Sequence, residues 1–222
     1  MPRRAFVAAL VFVVALGAVL YAQRRHPVSG GVIAPVIGVG GAEWLERPER
    51  EREEAPSKAI KALKLQPGQV VADIGAGSGY YAIRMAKAVG PTGKVYATDI
   101  QQGMLDLLHR NVARAKIDNV VPVLGAPDHP KLPAGSLDLA IMVDVYHEPA
   151  APLLVRRLRE ALKPDGRLVL LEFRKEDRNL PIVEVHKMSV AEVKAELEPE
   201  GYQLTEVLDD LPWQHILVLT RK

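Results

Sequence analysis

An apolar run that begins at Val70 ends in Asp73, and glycines follow at positions 75, 77 and 79 before a helical pattern starts. Glycines so placed let backbone approach a ligand closely, because no Cβ stands in the way. Asp99 ends a second apolar run, 20 residues beyond Gly79, an offset suited to gripping a ribose diol. Asp128 follows a third such run and Asp144 ends a fourth. Acids at the carboxyl ends of parallel strands stand where open α/β sheets bind their ligands. A crevice lined by carboxylates favours a ligand that carries an ammonium, a sulfonium and ribose hydroxyls, and it repels a pyrophosphate. The spacing agrees. A dinucleotide loop reads G-x-G-x-x-G, whereas here the third glycine comes one residue early and Tyr80 takes its place. No lysine stands in the P-loop position either.

Just past the fourth run lie Tyr146, His147 and Glu148, the candidates for a general base. His147 has the right intrinsic range, and its alternative is a loop histidine that shapes the pocket or bonds backbone. His186 and Lys187 precede a later helix and either face an acceptor or belong to a plain loop. Asp99 has a second reading too, as a cap for the helix that starts at Gln101. No metal site is expected: the six histidines are scattered, no H-E-x-x-H occurs, and Pro149 follows His147-Glu148.

The elements that must carry these residues alternate. Strands are predicted over 70–74, 94–98, 120–124, 137–143 and 167–173, and helices over 80–88, 101–115, 152–162 and 190–198. Such alternation with continuously apolar strands means a doubly wound, Rossmann-like, mostly parallel α/β sheet covered on both faces. Runs at 202–208 and 216–220 have no helix between them, so the seven-stranded sheet should end in an antiparallel hairpin. Before the first strand, 57–65 reads as a short amphipathic helix with Ile60 and Leu63 inward. The charge run at 46–54 reads as a solvated helical face, with Arg47, Glu49, Arg50 and Glu51 as candidates for part of a lid.

The amino-terminal part reads differently. Residues 5–22 carry no charge and are flanked by Arg3-Arg4 and Arg24-Arg25. They are expected to be a membrane anchor or an export signal within residues 1–26, followed by a Gly/Pro/Val linker over 27–42. The remaining domain, 43–222, then begins with a helical cap. The first 26 residues hold four arginines and no acid, so the rest of the chain has 25 basic against 27 acidic residues. That balance excludes a nucleic-acid footprint. The absence of cysteine excludes disulfides and thiolate metal sites.

"DIGAGSG" at 73–79, "TDI" at 98–100, "GAPDHPKLPAGSLDLAIMVDVYHE" at 125–148 and "LKPDGRLVLLEF" at 162–173 resemble the successive motifs of class I S-adenosylmethionine-dependent methyltransferases. "WLERPERE", "HKM" and "LPWQH" are similar to a bacterial branch of small methyltransferases near the ubiquinone/menaquinone group, whose members often carry an export or anchor sequence. The resemblance implies S-adenosyl-L-methionine as cofactor and methyl transfer, by in-line displacement, to a small or lipophilic acceptor. It implies that the loop of Gly75, Ala76, Gly77 and Gly79 packs on the methionine part and ribose, and that Asp73 holds the amino group through water. It assigns the ribose hydroxyls to Asp99, one adenine face to Ile100, the adenine amine to Asp128, and the neighbourhood of the methyl group to Asp144. In place of the commoner "GDA", this chain has Gly125-Ala126-Pro127-Asp128. Because the donor is made in the cytosol, an anchored domain facing the cytoplasm is expected, or an exported one if the first 22 residues are cleaved. The alternative is a non-catalytic protein of the same fold that holds the donor or a related nucleoside.

Overall fold

The computed structural model describes residues 33–148 and 151–222. The segment 5–22, with its expected anchor or signal, lies outside them. None of the helices among the described residues is long and apolar enough to cross a membrane.

Three short helices come first: α1 (Ala42–Leu45), α2 (Arg50–Glu53) and α3 (Pro56–Ala62). The alternating part follows as β1 (Val70–Ile74), α4 (Tyr80–Val89), β2 (Lys94–Asp99), α5 (Gln102–Ala115), β3 (Val120–Leu124) and β4 (Leu137–Val143). It continues through α6 (Ala151–Ala161), β5 (Leu162–Arg174), β6 (Lys187–Met188), α7 (Val190–Leu197), β7 (Tyr202–Leu208) and β8 (Gln214–Arg221).

The strand order is β3-β2-β1-β4-β5-β8-β7, with the two-residue β6 paired to β5. Strands β1 to β6 run parallel, and β8 joins β5 and β7 antiparallel, as the helix-free tail predicts. The short β6 makes the sheet eight-stranded rather than seven-stranded. Strand β5 also starts earlier than its apolar run, because Leu162 pairs with Leu137 across a bulge before the regular register begins at Leu139 and Arg167.

Successive residues of a strand face opposite sides, so each central strand feeds two cores. Val71, Leu139, Ile141, Val169 and Leu171 pack under α3, α4 and α5, against Leu63, Met85 and Leu108. Ala72, Ala140, Met142, Leu168 and Leu170 pack under α6 and α7, against Leu158, Val193 and Leu197. Chain order reverses between β1 and β4: β2 and β3 lie to one side, β5 to the other. A crevice forms at the carboxyl ends of the strands at such a reversal.

The charge run at 46–54 is not simply solvated. Arg50 is 4% exposed and Glu54 fully buried. Arg50 Nε donates to Glu54 at 2.5 Å and Arg47 to its other oxygen at 2.6 Å. The Arg50 guanidinium also lies over the rings of Tyr80 and Tyr81, at 4.5 and 5.3 Å. Sequence periodicity cannot separate such a pair from a solvated one, because the partner surface comes from α4. Arg50→Met should lower the unfolding free energy by about 3 kcal/mol, since it strips one partner from a buried carboxylate. Arg52, 79% exposed, is the control: Arg52→Met should change it by less than about 0.5 kcal/mol in the same urea titration.

Candidate functional site

A cavity of about 980 Å³ occupies the crevice. Its floor is the ends of β1, β2, β4 and β5, and its roof includes Pro35, Val36, Ile37, Trp44 and Leu45. The end of the expected linker thus forms a wall of the site. Ala34 is buried and donates to the carbonyl of His147 at 3.3 Å, and Gln101 Nε2 donates to the carbonyl of Ile37 at 2.8 Å.

The glycine loop is tied to β2: the N–H groups of Gly75 and Ala76 both donate to the Thr98 carbonyl, at 2.8 and 2.9 Å. Gly75 has φ +70°, and a Cβ there would meet a methyl of Val145 at 2.6 Å. Both facts demand glycine. Gly75 and Gly77 line the cavity; Ala76 and Gly79 stand behind them, Gly79 as the left-handed cap of α4.

Asp99 lines the cavity and caps as well. Its Oδ2 accepts from Gly77 N at 2.9 Å and its Oδ1 from Gln101 N at 2.8 Å. The two readings of this residue coexist, because each carboxylate oxygen keeps a second lone pair. Burial pushes its carboxyl up, opposed by N–H groups of Gln101, Gly77 and Ile100. Ile100 is 42% exposed and lines the cavity, an apolar surface beside a carboxylate.

Asp73 is 2% exposed and sits behind the loop, off the cavity surface. Burial pushes its carboxyl up to about 7, against the pull of the Ala82 N–H and Arg50. Its Oδ2 has no hydrogen-bond partner among the described residues. Asp144 does reach the cavity, with the left-handed φ of +53°. Both its oxygens accept from Gln214 Nε2 at 2.9 Å. Burial raises it well above the carboxylate range, helped by Glu54 and Glu172.

Asp128 and Tyr146, also expected at the site, are turned away from it. Asp128 is exposed and absent from the lining, where Ala126 and Pro127 stand instead. The tight turn closed by mutual Ala126 and His129 backbone bonds puts it at the tip, facing out. Tyr146 is 2% exposed and packs in the core under α6 and α7, so it cannot act as the base. Tyr81 likewise packs in the core. Lys187 is buried away from the cavity, its Nζ near the carbonyls of Asp177 and Leu180.

His147, Glu148 and His186 do line the cavity. Burial pushes the Glu148 carboxyl up to about 7, while His147 pulls it down. His147 Nδ1 lies 2.7 Å from Glu172 and its Nε2 3.0 Å from His186 Nδ1. Sequence reasoning did not single out Glu172, and it offered Arg50, which also lines the cavity, only as part of a lid. The signal for Glu172 was present: it is the one charged residue in the apolar run at 168–173.

The comparisons agree with this geometry. The profile of a methyltransferase-domain family matches residues 71–166. The ubiquinone/menaquinone biosynthesis C-methyltransferase of Cupriavidus metallidurans is 32% identical over 120 residues, 52% of this chain and 48% of that protein. The protein-L-isoaspartate O-methyltransferase of Methanothrix thermoacetophila is 33% identical over 108 residues, 49% of each. A SAM-dependent methyltransferase structure from Aquifex aeolicus superposes with a TM-score of 0.77 at 26% identity, covering 82% of this chain and 98% of that one. Residues 71–166 thus carry a methyltransferase-type domain, and the fold is similar to that of a SAM-dependent methyltransferase. The chain spans about half the length of the curated relatives it matches.

S-adenosyl-L-methionine is the cofactor this likeness implies. The residues present fit it: a buried, unpartnered Asp73 oxygen, a loop where only glycine leaves room, and a carboxylate with free lone pairs at the end of β2.

Two outcomes follow. Gly75→Ala should cost about 1–3 kcal/mol of stability and abolish cofactor binding, read by thermal shift with and without S-adenosylhomocysteine. Asp73 and Glu148 carry protons below about pH 7 and must lose them to face an ammonium or sulfonium. Calorimetric affinity for S-adenosylmethionine should therefore rise through that window, by roughly tenfold per carboxylate that must ionise.

Proposed function

We propose that the protein transfers a methyl group from S-adenosylmethionine to a small, largely apolar acceptor by in-line displacement. The carrying observation is one cavity that joins the glycine loop and Asp99 to a chamber with Leu154, Phe173, Ile182 and Val183 in its wall. The bound cofactor supplies a methyl group activated by positive charge on sulfur. The protein's part is alignment, which accounts for several kcal/mol of barrier lowering.

The roles divide by position. Asp99 takes the ribose hydroxyls through its remaining lone pairs, and Ile100 covers one face of the adenine. Arg50, whose Nη2 has no partner among the described residues, takes the carboxylate of the methionine part. Asp73 acts from behind the loop on the amino group. The roof, with Pro35, Val36, Ile37, Trp44 and Leu45, covers the acidic floor with apolar side chains and so strengthens its hold on the ligand.

An apolar acceptor and an uncharged segment at 5–22 belong together in this reading: the acceptor is drawn from a membrane to which the domain is tethered on its cytoplasmic side. Protease protection of the whole domain outside the inner membrane would refute that placement.

The test of the cofactor is parallel calorimetry with S-adenosylhomocysteine and NAD. The first should bind and the second should not. Asp99→Ala should weaken binding by roughly tenfold to hundredfold, the worth of hydrogen bonds to a charged group. Methyl release from labelled donor across an acceptor panel separates an enzyme from a protein that only holds the donor.

A further inference from the structure

Glu172, His147 and His186 form a hydrogen-bonded file from the interior of the sheet to the cavity. Glu172 on β5 is fully buried. Its Oε1 accepts from the N–H groups of Val145 and Tyr146, at 3.2 and 2.8 Å, and its Oε2 meets His147 Nδ1 at 2.7 Å. His147 Nε2 meets Nδ1 of His186 at 3.0 Å, the two rings edge to face with centroids 5.0 Å apart. His186 is half-buried, lines the cavity, and its Nε2 has no partner among the described residues.

The file dictates its own tautomers. An ionised carboxylate only accepts, so His147 carries its hydrogen on Nδ1. Nε2 of neutral His147 is then an acceptor, and His186 must donate to it from Nδ1. What remains is a lone pair on His186 Nε2, held at the cavity by two residues that never touch the ligand space with a free nitrogen.

We infer that His186 is the general base of the transfer, with His147 and Glu172 as its positioning residues, and that the acceptor is an uncharged apolar molecule bearing a phenol-like hydroxyl. This rests on the methyl-transfer reading above. The chamber beside His186 is apolar, from Leu154, Phe173, Ile182 and Val183. Asp99 on the same lining, joined by Glu148 once it ionises, disfavours an acceptor that carries a carboxylate or phosphate. An imidazole matches the acidity of a phenol or enol far better than that of an aliphatic alcohol.

The step balances. An electron pair on the acceptor oxygen forms the new O–C bond as the S–C pair returns to sulfur, leaving a neutral thioether. The hydroxyl proton goes to His186 Nε2, and the proton on His186 Nδ1 moves to His147 Nε2. The imidazolium so formed rests beside the Glu172 carboxylate.

The surroundings favour that resting place. Asp144 and Glu148 face His147 from its own loop, Glu172 from β5 and His186 from the turn before β6. Behind Glu172, its register partner His215 on β8 is buried and faces Glu176, Asp209 and Arg174. Arg50 and Glu54 act through Asp144. Burial pulls His147 down, but Glu172, then Asp144 and Glu148, lift it above the ordinary 6.5. Burial and the neighbouring His147 hold His186 below 6.5. A proton that enters at His186 therefore settles on His147.

Histidine side-chain nitrogen NMR on the full chain, without cofactor, tests the file. Both imidazoles should show the Nδ1–H tautomer at high pH. On acidification the first proton should appear on His147, at a value above 6.5 that belongs to the pair. Glu172→Gln should move that value down by about one unit or more. An Nε2–H tautomer at His147, or a titration unmoved by Glu172→Gln, overturns the relay.

The acceptor class is tested with 4-nitrophenol, whose ionised form absorbs visible light, against 4-nitroanisole, which has no proton to give. The phenol should bind as its anion and protonate His147, and His186→Gln should weaken it by about tenfold. Equal binding of the two probes, or of neither, overturns the acceptor assignment. Calorimetry with S-adenosylhomocysteine on the same samples keeps the outcomes apart. Correct tautomers without that binding overturn methyl transfer alone; binding with wrong tautomers overturns the relay alone.

Discussion

Negative charge is gathered and buried at one edge of the sheet, and the local geometry of the site follows from holding it there. Glu54, Asp73, Asp99 and Glu172 are all less than a tenth exposed. A buried carboxylate costs several kcal/mol unless it is paired or hydrogen-bonded. Each one here recruits specific partners: Arg50 and Arg47 for Glu54, the N–H groups of Gly77 and Gln101 for Asp99, and the Val145–His147 turn for Glu172. For Asp99 and Glu172 the partners include backbone N–H groups of a loop, a helix start and a turn. The glycine loop, the start of α5 and the turn after β4 are each pinned by the carboxylate they satisfy. One Asp73 oxygen is left without a hydrogen-bond partner among the described residues.

The same constraint joins parts of the chain that are far apart in sequence. Gln214 on β8 holds Asp144 at the end of β4, so the antiparallel hairpin serves the crevice as well as the sheet. Arg50 in the cap lies against Glu54 and the tyrosines of α4, and it faces the cavity. A cap held by buried charge and a sheet held by apolar packing meet over one space. In the proposed function, that arrangement gives the donor electrostatic grip and the acceptor an apolar chamber.

The sheet and its order of elements were legible because a buried parallel strand has a strong signature. Val70–Ile74 and Leu137–Val143 are apolar but for one aspartate each, Asp73 and Asp138, and the helices between them repeat at helical spacing. The glycine loop and Asp99 were legible for a related reason: their chemistry depends on local spacing within one strand–turn–helix unit. Strand β5 was harder to bound, since Leu162 joins the sheet only by meeting Leu137. Arg50 and Glu54 read as solvated because an i, i+4 pair looks the same whether or not another helix covers it.

The sequence by itself determined the doubly wound class, the carboxyl-edge crevice and the loop that admits a ligand's backbone approach, all through short-range spacing and strand hydrophobicity. Tertiary structure decided which of the candidate side chains meet. It turned Asp128 outward on a tight turn, sank Tyr146 into the core, and folded the stretch after Ala34 back over the cavity. It also brought Glu172, His147 and His186 into one file from three separate elements. Spacing along a chain carries no record of such meetings, because they depend on how strands β4 and β5 align and where the following turn returns to the sheet edge.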